Sequence, residues 1–213
     1  MKPEYIYMNV VAPSFIMVPI VTAITRYRSL SREGNILFVY LIVDMIVSIL
    51  SSILAYHHLR NTPLYHIATI VDTVILLYFF YSIFQNRLFS KYLKGMMVIF
   101  PLAGILNILF IQHIFEFNSY MLSFKSILII ILCFLYWWHY ESETLRPWTE
   151  LPLHWIISGL MLYFSSAFIL FTFSNLITSV ASRNISLILW NIHASLSLIM
   201  YLMLAIGISK YKI

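Results

Sequence analysis

Charge is the scarcest thing in this chain. Only 10% of its 213 residues are Asp, Glu, Lys or Arg, against about 25% in soluble domains. Cysteine is nearly absent: Cys133 stands alone inside an apolar run, so there is no internal disulfide framework and no zinc-finger spacing. Five glycines leave no room for a Gly-rich phosphate loop or a flexible linker. GxSxG, HExxH and P-loop patterns are missing as well. What remains is apolar: 62% of residues are hydrophobic and mean hydropathy is +0.89. A soluble fold of this size has too little interior to bury that surface, so the expected solvent is lipid.

A membrane-spanning helix needs about 20 mostly apolar residues. Seven runs qualify, at roughly residues 5–25, 36–57, 63–84, 95–112, 121–140, 153–178 and 185–208. They are too long and too uniform for barrel strands, and backbone groups in lipid must pair internally, so helices are expected. The fold class is therefore all-α: an integral membrane bundle of seven transmembrane helices forming one domain over residues 1–213. Pro13 and Pro19 should disturb the first helix and Pro101 bend the fourth, whereas Pro63 and Pro152 fall at helix starts, where a missing N–H costs little. The N-terminus lacks the pattern of a cleavable signal, so it is read as the outer end of the first helix.

The excess of basic residues, +5 with His neutral, lies in short loops beside apolar spans. That pattern is membrane orientation and head-group contact rather than nucleic-acid binding. Arg26, Arg28, Arg32, Arg87, Lys91, Lys94, Arg146, Lys210 and Lys212 fall on one side; Lys2, Arg60, Lys125 and Arg183 fall on the other. The positive-inside rule puts the N-terminus outside and the C-terminus in the cytoplasm. Aromatic residues such as Trp137, Trp138, Trp148 and Trp155 mark the inner interface, and Tyr5, Tyr65, Tyr120 and Trp190 the outer one.

Ionisable residues within spans are the informative ones. Asp44 shares a face of the second helix with Tyr40, Ser48, Ser51, Ala55 and His58, as a ligand or proton group or as a clasp between helices. In the third helix His66, Thr69 and Thr73 share a face, and Asp72 is turned from His66 by about 120°. Asn191 and His193 lie in the outer half of the seventh helix, His193 in a stripe with Trp190, Ser197 and Tyr201. A contact between His193 and Asp72 is the sharpest geometric expectation. Ser158, Ser165 and Thr172, seven apart in the sixth helix, read as close helix packing, with a wetted lining as the alternative. The acidic fifth loop, with Glu141, Glu143 and Glu150, reads as a solvated turn or a docking surface for a cytoplasmic partner.

Helix seven has no Lys before Lys210, which argues against a retinal Schiff base. Ser197 stands four after His193, where a seven-helix zinc hydrolase would carry a second His. His57, His58, His66, Asp72 and His193 leave an incomplete metal signature. No cofactor, metal or catalytic residue is therefore assigned.

The run Asn61-Thr-Pro-Leu-Tyr65-His66-Ile-Ala-Thr-Ile-Val-Asp72 resembles the second loop and third helix of an uncharacterised bacterial seven-helix family: Asn, then aromatic-His-Ile, then an acid six after the His. Trp155-Ile-Ile-Ser158-Gly159-Leu-Met-Leu-Tyr163-Phe-Ser165 is similar to its sixth helix, and Leu189-Trp190-Asn191-Ile-His193 to its seventh. The family usually carries Glu where Asp72 stands. Its members are often encoded beside sensor histidine kinases, so the resemblance implies a sensory role in the bacterial plasma membrane. The expected function is that of a receptor or sensor, with an outer-half polar pocket of His66, Asp72, Asn191 and His193, and Asp44 deeper. Its expected partners are the lipid bilayer and a cytoplasmic signalling protein such as a sensor kinase. The alternatives are a lipid-active membrane enzyme, metal-dependent or not, and a small transporter or channel.

Overall fold

Helix starts in this chain are written with Ser, Asn and Pro, the residues that satisfy or do without the first backbone N–H groups. In a computed structural model, which describes residues 5–84, 86–139 and 147–211, Ser31 accepts from the Gly34 N–H and Ser182 from the Ile185 N–H. The Asn86 side chain accepts from the Leu88 N–H. Pro63 and Pro152 stand in the first turns of their helices. Seven helices are long and apolar enough to cross a membrane: α1 (Tyr7–Thr25), α2 (Arg32–Tyr56), α3 (Thr62–Ile83), α4 (Arg87–Phe110), α5 (Ser119–His139), α6 (Pro152–Thr172) and α7 (Arg183–Ser209). There is no strand among the described residues. The chain is an all-α, multi-pass membrane bundle.

The prolines act on α1 as expected. Tyr7–Val11 is a π-helical turn, Ala12–Ser14 a single α turn, and regular helix resumes at Met17–Thr25. Between them the N–H groups of Phe15, Ile16 and Val18 bond three residues back, to Ala12, Pro13 and Phe15. Pro19 has no N–H to give, so the ladder tightens around it. Pro101 lies inside α4. Two boundaries differ most from the hydropathy reading. Helix α4 begins at Arg87 rather than near 95, because Asn86 caps it and its first two turns are amphipathic. Helix α6 ends at Thr172; Phe173 leaves helical geometry, and a two-turn helix, Ser174–Val180, follows.

The chain packs as two compact units. One comprises Ser31–Lys125, and α3 packs there against both α2 and α4. Leu76, Leu77, Phe79 and Phe80 of α3 are fully buried. A methyl group on Gly104 of α4 would stand 2.7 Å from Cδ1 of Ile70, so that glycine permits the close approach of α3 and α4. The stack of Phe100 on Phe124, with centroids 5.4 Å apart, brings in the start of α5.

The other unit comprises Met1–Leu30 and Ser126–Ile213, with α7 packed against α6 and α1. Here too glycines set the spacing. A Cβ on Gly159 would lie 3.0 Å from Met203 Cβ, and one on Gly207 2.8 Å from the Pro152 carbonyl oxygen. Of the hydroxyls spaced seven apart on α6, Ser165 turns back to the Met161 carbonyl and Thr172 is exposed. Aliphatic side chains such as Val98, Leu102, Ile105 and Leu109 of α4 are half or more exposed. In water that surface would cost about 25 cal/mol per Å², whereas against lipid it costs nothing.

Candidate functional site

Helix α3 places its polar residues where α5 and the segment before it can reach them. His66, Thr69 and Thr73 share a buried face, as their spacing requires. Thr69 and Thr73 turn their hydroxyls to the carbonyls of Tyr65 and Thr69. His66 Nε2 donates to the Glu116 carbonyl at 3.1 Å, tying α3 to the loop between α4 and α5. Asn118 Nδ2 donates to Thr69 Oγ1 at 3.1 Å, and Gln112 Nε2 to the Phe117 carbonyl and to Ser119 Oγ. At the same end of α3, Ser51 of α2 accepts from Asn61 Nδ2 and shares a 2.8 Å hydrogen bond with the Tyr65 hydroxyl.

Deeper along α3 the seam becomes ionic. Lys125 Nζ lies 3.4 Å from Asp72 Oδ2, with side-chain exposures of 8% and 11%. Asp72 is the eleventh residue of α3, about 15 Å along it and at the middle of this apolar helix. Its second oxygen, Oδ1, is buried and has no hydrogen-bond partner among the described residues. In the same unit Asn107 Nδ2, Gln112 Oε1 and Asn118 Oδ1 are buried in the same condition. Buried polar atoms are nearly always satisfied, by protein, water or ligand. So many unused polar atoms in one unit mark this seam as a candidate polar site rather than a simple clasp.

Lys125 lies within the fifth apolar run, at 121–140, yet was counted among the cations of the short loops. Helix α5 starts at Ser119, and Lys125 falls on its second turn. Asn107, Gln112 and Asn118 carry no sequence signal beyond being amides at the ends of apolar runs.

His193 and Asn191 belong to the other unit. Ser166 of α6 shares a 2.9 Å hydrogen bond with His193 Nδ1. Because its own hydroxyl hydrogen goes to the Tyr163 carbonyl, the imidazole N–H is the donor. The rings of Tyr163, Phe171 and Trp190 surround His193 at centroid distances of 5.0, 5.4 and 6.5 Å. The side-chain oxygen of Asn191 is buried without a hydrogen-bond partner among the described residues, and its carbonyl accepts from Ser195. Ser195 in turn accepts from the Tyr7 hydroxyl at 2.8 Å, joining α7 to α1. Sequence reasoning gave His154 no role, yet it is fully buried between rings, 4.9 Å from Trp137 and 5.8 Å from Trp148.

Asp44 lies half-buried near the middle of α2, on the face that buries Tyr40 and Ser51. His57 and His58 are exposed at the end of α2. Glu141 and Glu143 of the acidic loop lie outside the described residues, and Glu150 is exposed in a short 3₁₀ turn. Among the described residues no three His, Cys, Asp or Glu side chains converge as a metal site. No family model, curated protein or solved structure matches the chain.

Proposed function

We propose that this membrane protein is a sensor whose responsive element is the Asp72–Lys125 pair. The observation that carries the reading is an ion pair near mid-span whose carboxylate keeps one buried oxygen unused. A charge at that depth is costly alone and tolerable when paired. A proton, or the donor group of a small polar ligand, arriving at Oδ1 weakens the hold of Asp72 on Lys125. Weakening a buried ion pair costs several kcal/mol, which favours rearrangement of α3 against the start of α5. A difference of that size is enough to shift a two-state equilibrium almost completely. His66, Thr69 and Asn118 hold the surrounding seam in register.

In this reading the polar seam of α3 faces the outer half of the bilayer and the basic loops face a cytoplasmic partner. The resemblance to a family encoded beside sensor kinases supports a kinase as that partner, and a bacterial plasma membrane as the location. The test uses source cells carrying the wild-type chain, Asp72→Asn, Lys125→Met or both, with transcript profiles compared at matched membrane abundance. Sensing expects each single substitution to shift the profile. Unchanged profiles at normal abundance defeat the proposal. Purified protein in liposomes supplies the contrast: proton or ion flux that disappears in Asp72→Asn would make the pair a carrier instead.

A further inference from the structure

We propose that the exposed face of α4 is a binding site for an anionic phospholipid, with the head-group phosphate held by Arg87 and Lys91. The face is one stripe with two parts. Its first two turns carry Arg87, Lys91 and Lys94, all exposed. The turns that follow carry Val98, Leu102 and Leu109, each more than half exposed. At about 100° per residue, these six positions fall within roughly 80° of one another around the helix. Val98 to Leu109 spans about 16 Å, one leaflet's share of a roughly 30 Å hydrocarbon core. A negative head and a hydrocarbon tail are thus matched in their order along the helix.

The cations lack an acid of their own. Arg87 and Lys91 make no hydrogen bond or ion pair among the described residues. The Lys94 ammonium lies 5.2 Å from the centre of the Tyr81 ring of α3, a contact that leaves its charge unneutralised. Arg32, at the start of α2, adds a fourth cation at this end and donates to the Tyr78 hydroxyl at 2.8 Å. Of the described acids in this unit, Glu33 lies at the same end, and its carboxylate accepts from the Ser31 hydroxyl. Asp44 and Asp72 lie near the middles of their helices, and Glu116 lies past the far end of α4. Arginine and lysine N–H groups donate to phosphate oxygens. Tyr92, 70% exposed beside Lys91, is an amphipathic ring of the kind that settles at head-group level. A soluble anion or an acidic protein surface would meet the cations and leave the aliphatic part of the stripe uncovered; a phospholipid meets both.

This site is separate from the Asp72–Lys125 pair, and its failure would leave that reading standing. The test is native mass spectrometry of the full chain in detergent, titrated with dipalmitoyl phosphatidylglycerol, dipalmitoyl phosphatidylcholine or dihexanoyl phosphatidylglycerol. We expect one dipalmitoyl phosphatidylglycerol to bind saturably, about tenfold more tightly than the choline lipid. The dihexanoyl lipid, which keeps the head and loses most of the tail, should bind more weakly. Arg87→Gln combined with Lys91→Gln should weaken phosphatidylglycerol binding about thirtyfold, the loss of two surface cations. Arg87→Lys combined with Lys91→Arg should retain it. Arg28→Gln, which removes an exposed cation of the other unit, should leave it unchanged. Equal binding of the two head groups or of the two chain lengths, full binding by the double Gln variant, or equal loss in Arg28→Gln would overturn the assignment. So would displacement of the lipid by a polyglutamate peptide at equal concentration, which would make the face a protein docking surface instead.

Discussion

At the scale of single residues, the sharpest consequence of a lipid solvent is how unequally it treats one charge and two. Removing either member of the Asp72–Lys125 pair leaves the other in a buried, low-dielectric position, whereas removing both leaves only a packing defect. We expect Asp72→Asn and Lys125→Met each to lower stability by about 3 kcal/mol, and the double variant by less than either single one. Unfolding in mixed detergent micelles measures all three. Additive losses would mean that the two side chains do not depend on one another. The acid was visible in the sequence because any carboxylate inside an apolar run is conspicuous, and so was His66 on its polar face of α3. The lysine partner was not. Its partner depends on which helix faces α5, which Asn118 helps to set by its hydrogen bond to Thr69, far away in sequence.

At the scale of helices, glycine has different meanings at different positions. Gly207 faces Ile156 Cγ1 at 2.7 Å and a backbone oxygen at 2.8 Å from the place where a Cβ would stand, and the backbone cannot step aside. Gly207→Ala should therefore destabilise by about 1–3 kcal/mol, as overpacked sites do. Gly159→Ala meets Met203 Cβ at 3.0 Å and should cost less, while Gly95→Ala meets nothing within 4 Å and should gain up to about 1 kcal/mol of helix propensity. Thermal unfolding of the three variants tests that order. The end of α2 supplies a second case. His58 has φ of 57°, and its N–H bonds the Ala55 carbonyl while that of Leu59 bonds the Leu54 carbonyl, a Schellman closure that ordinarily uses glycine. His58→Gly should be neutral to stabilising and His58→Val destabilising by about 1–2 kcal/mol, read by the same melts. The existence and number of the helices were legible because lipid forces every apolar run of sufficient length into one form. Their ends were less so: the basic first turns of α4 resemble a loop to any hydropathy average, and the break at Phe173 leaves no mark in composition.

At the scale of the whole molecule, seven crossings require the two ends of the chain to lie on opposite faces of the membrane. Which face is which rests on the distribution of loop cations, and the buried position of Lys125 alters that distribution. Once it belongs to α5 and to Asp72, the sparse side keeps Lys2, Arg60 and Arg183, while the rich side keeps its nine. A cytoplasmic C-terminus is the expectation that this distribution carries. Cys133 makes the test simple, because the only thiol in the chain is fully buried and should resist an impermeant maleimide without being removed. Tyr27 and Asn184 are both exposed, one beyond the end of α1 and the other at the start of α7. In intact cells the reagent should label Asn184→Cys at once and Tyr27→Cys only after the membrane is permeabilised. The reverse pattern would keep the seven crossings and invert the protein, removing the basic loops as a surface for a cytoplasmic partner. Equal labelling of both sites in intact cells would mean that an odd number of helices does not separate them, and the membrane path of the chain between α1 and α7 would have to be redrawn.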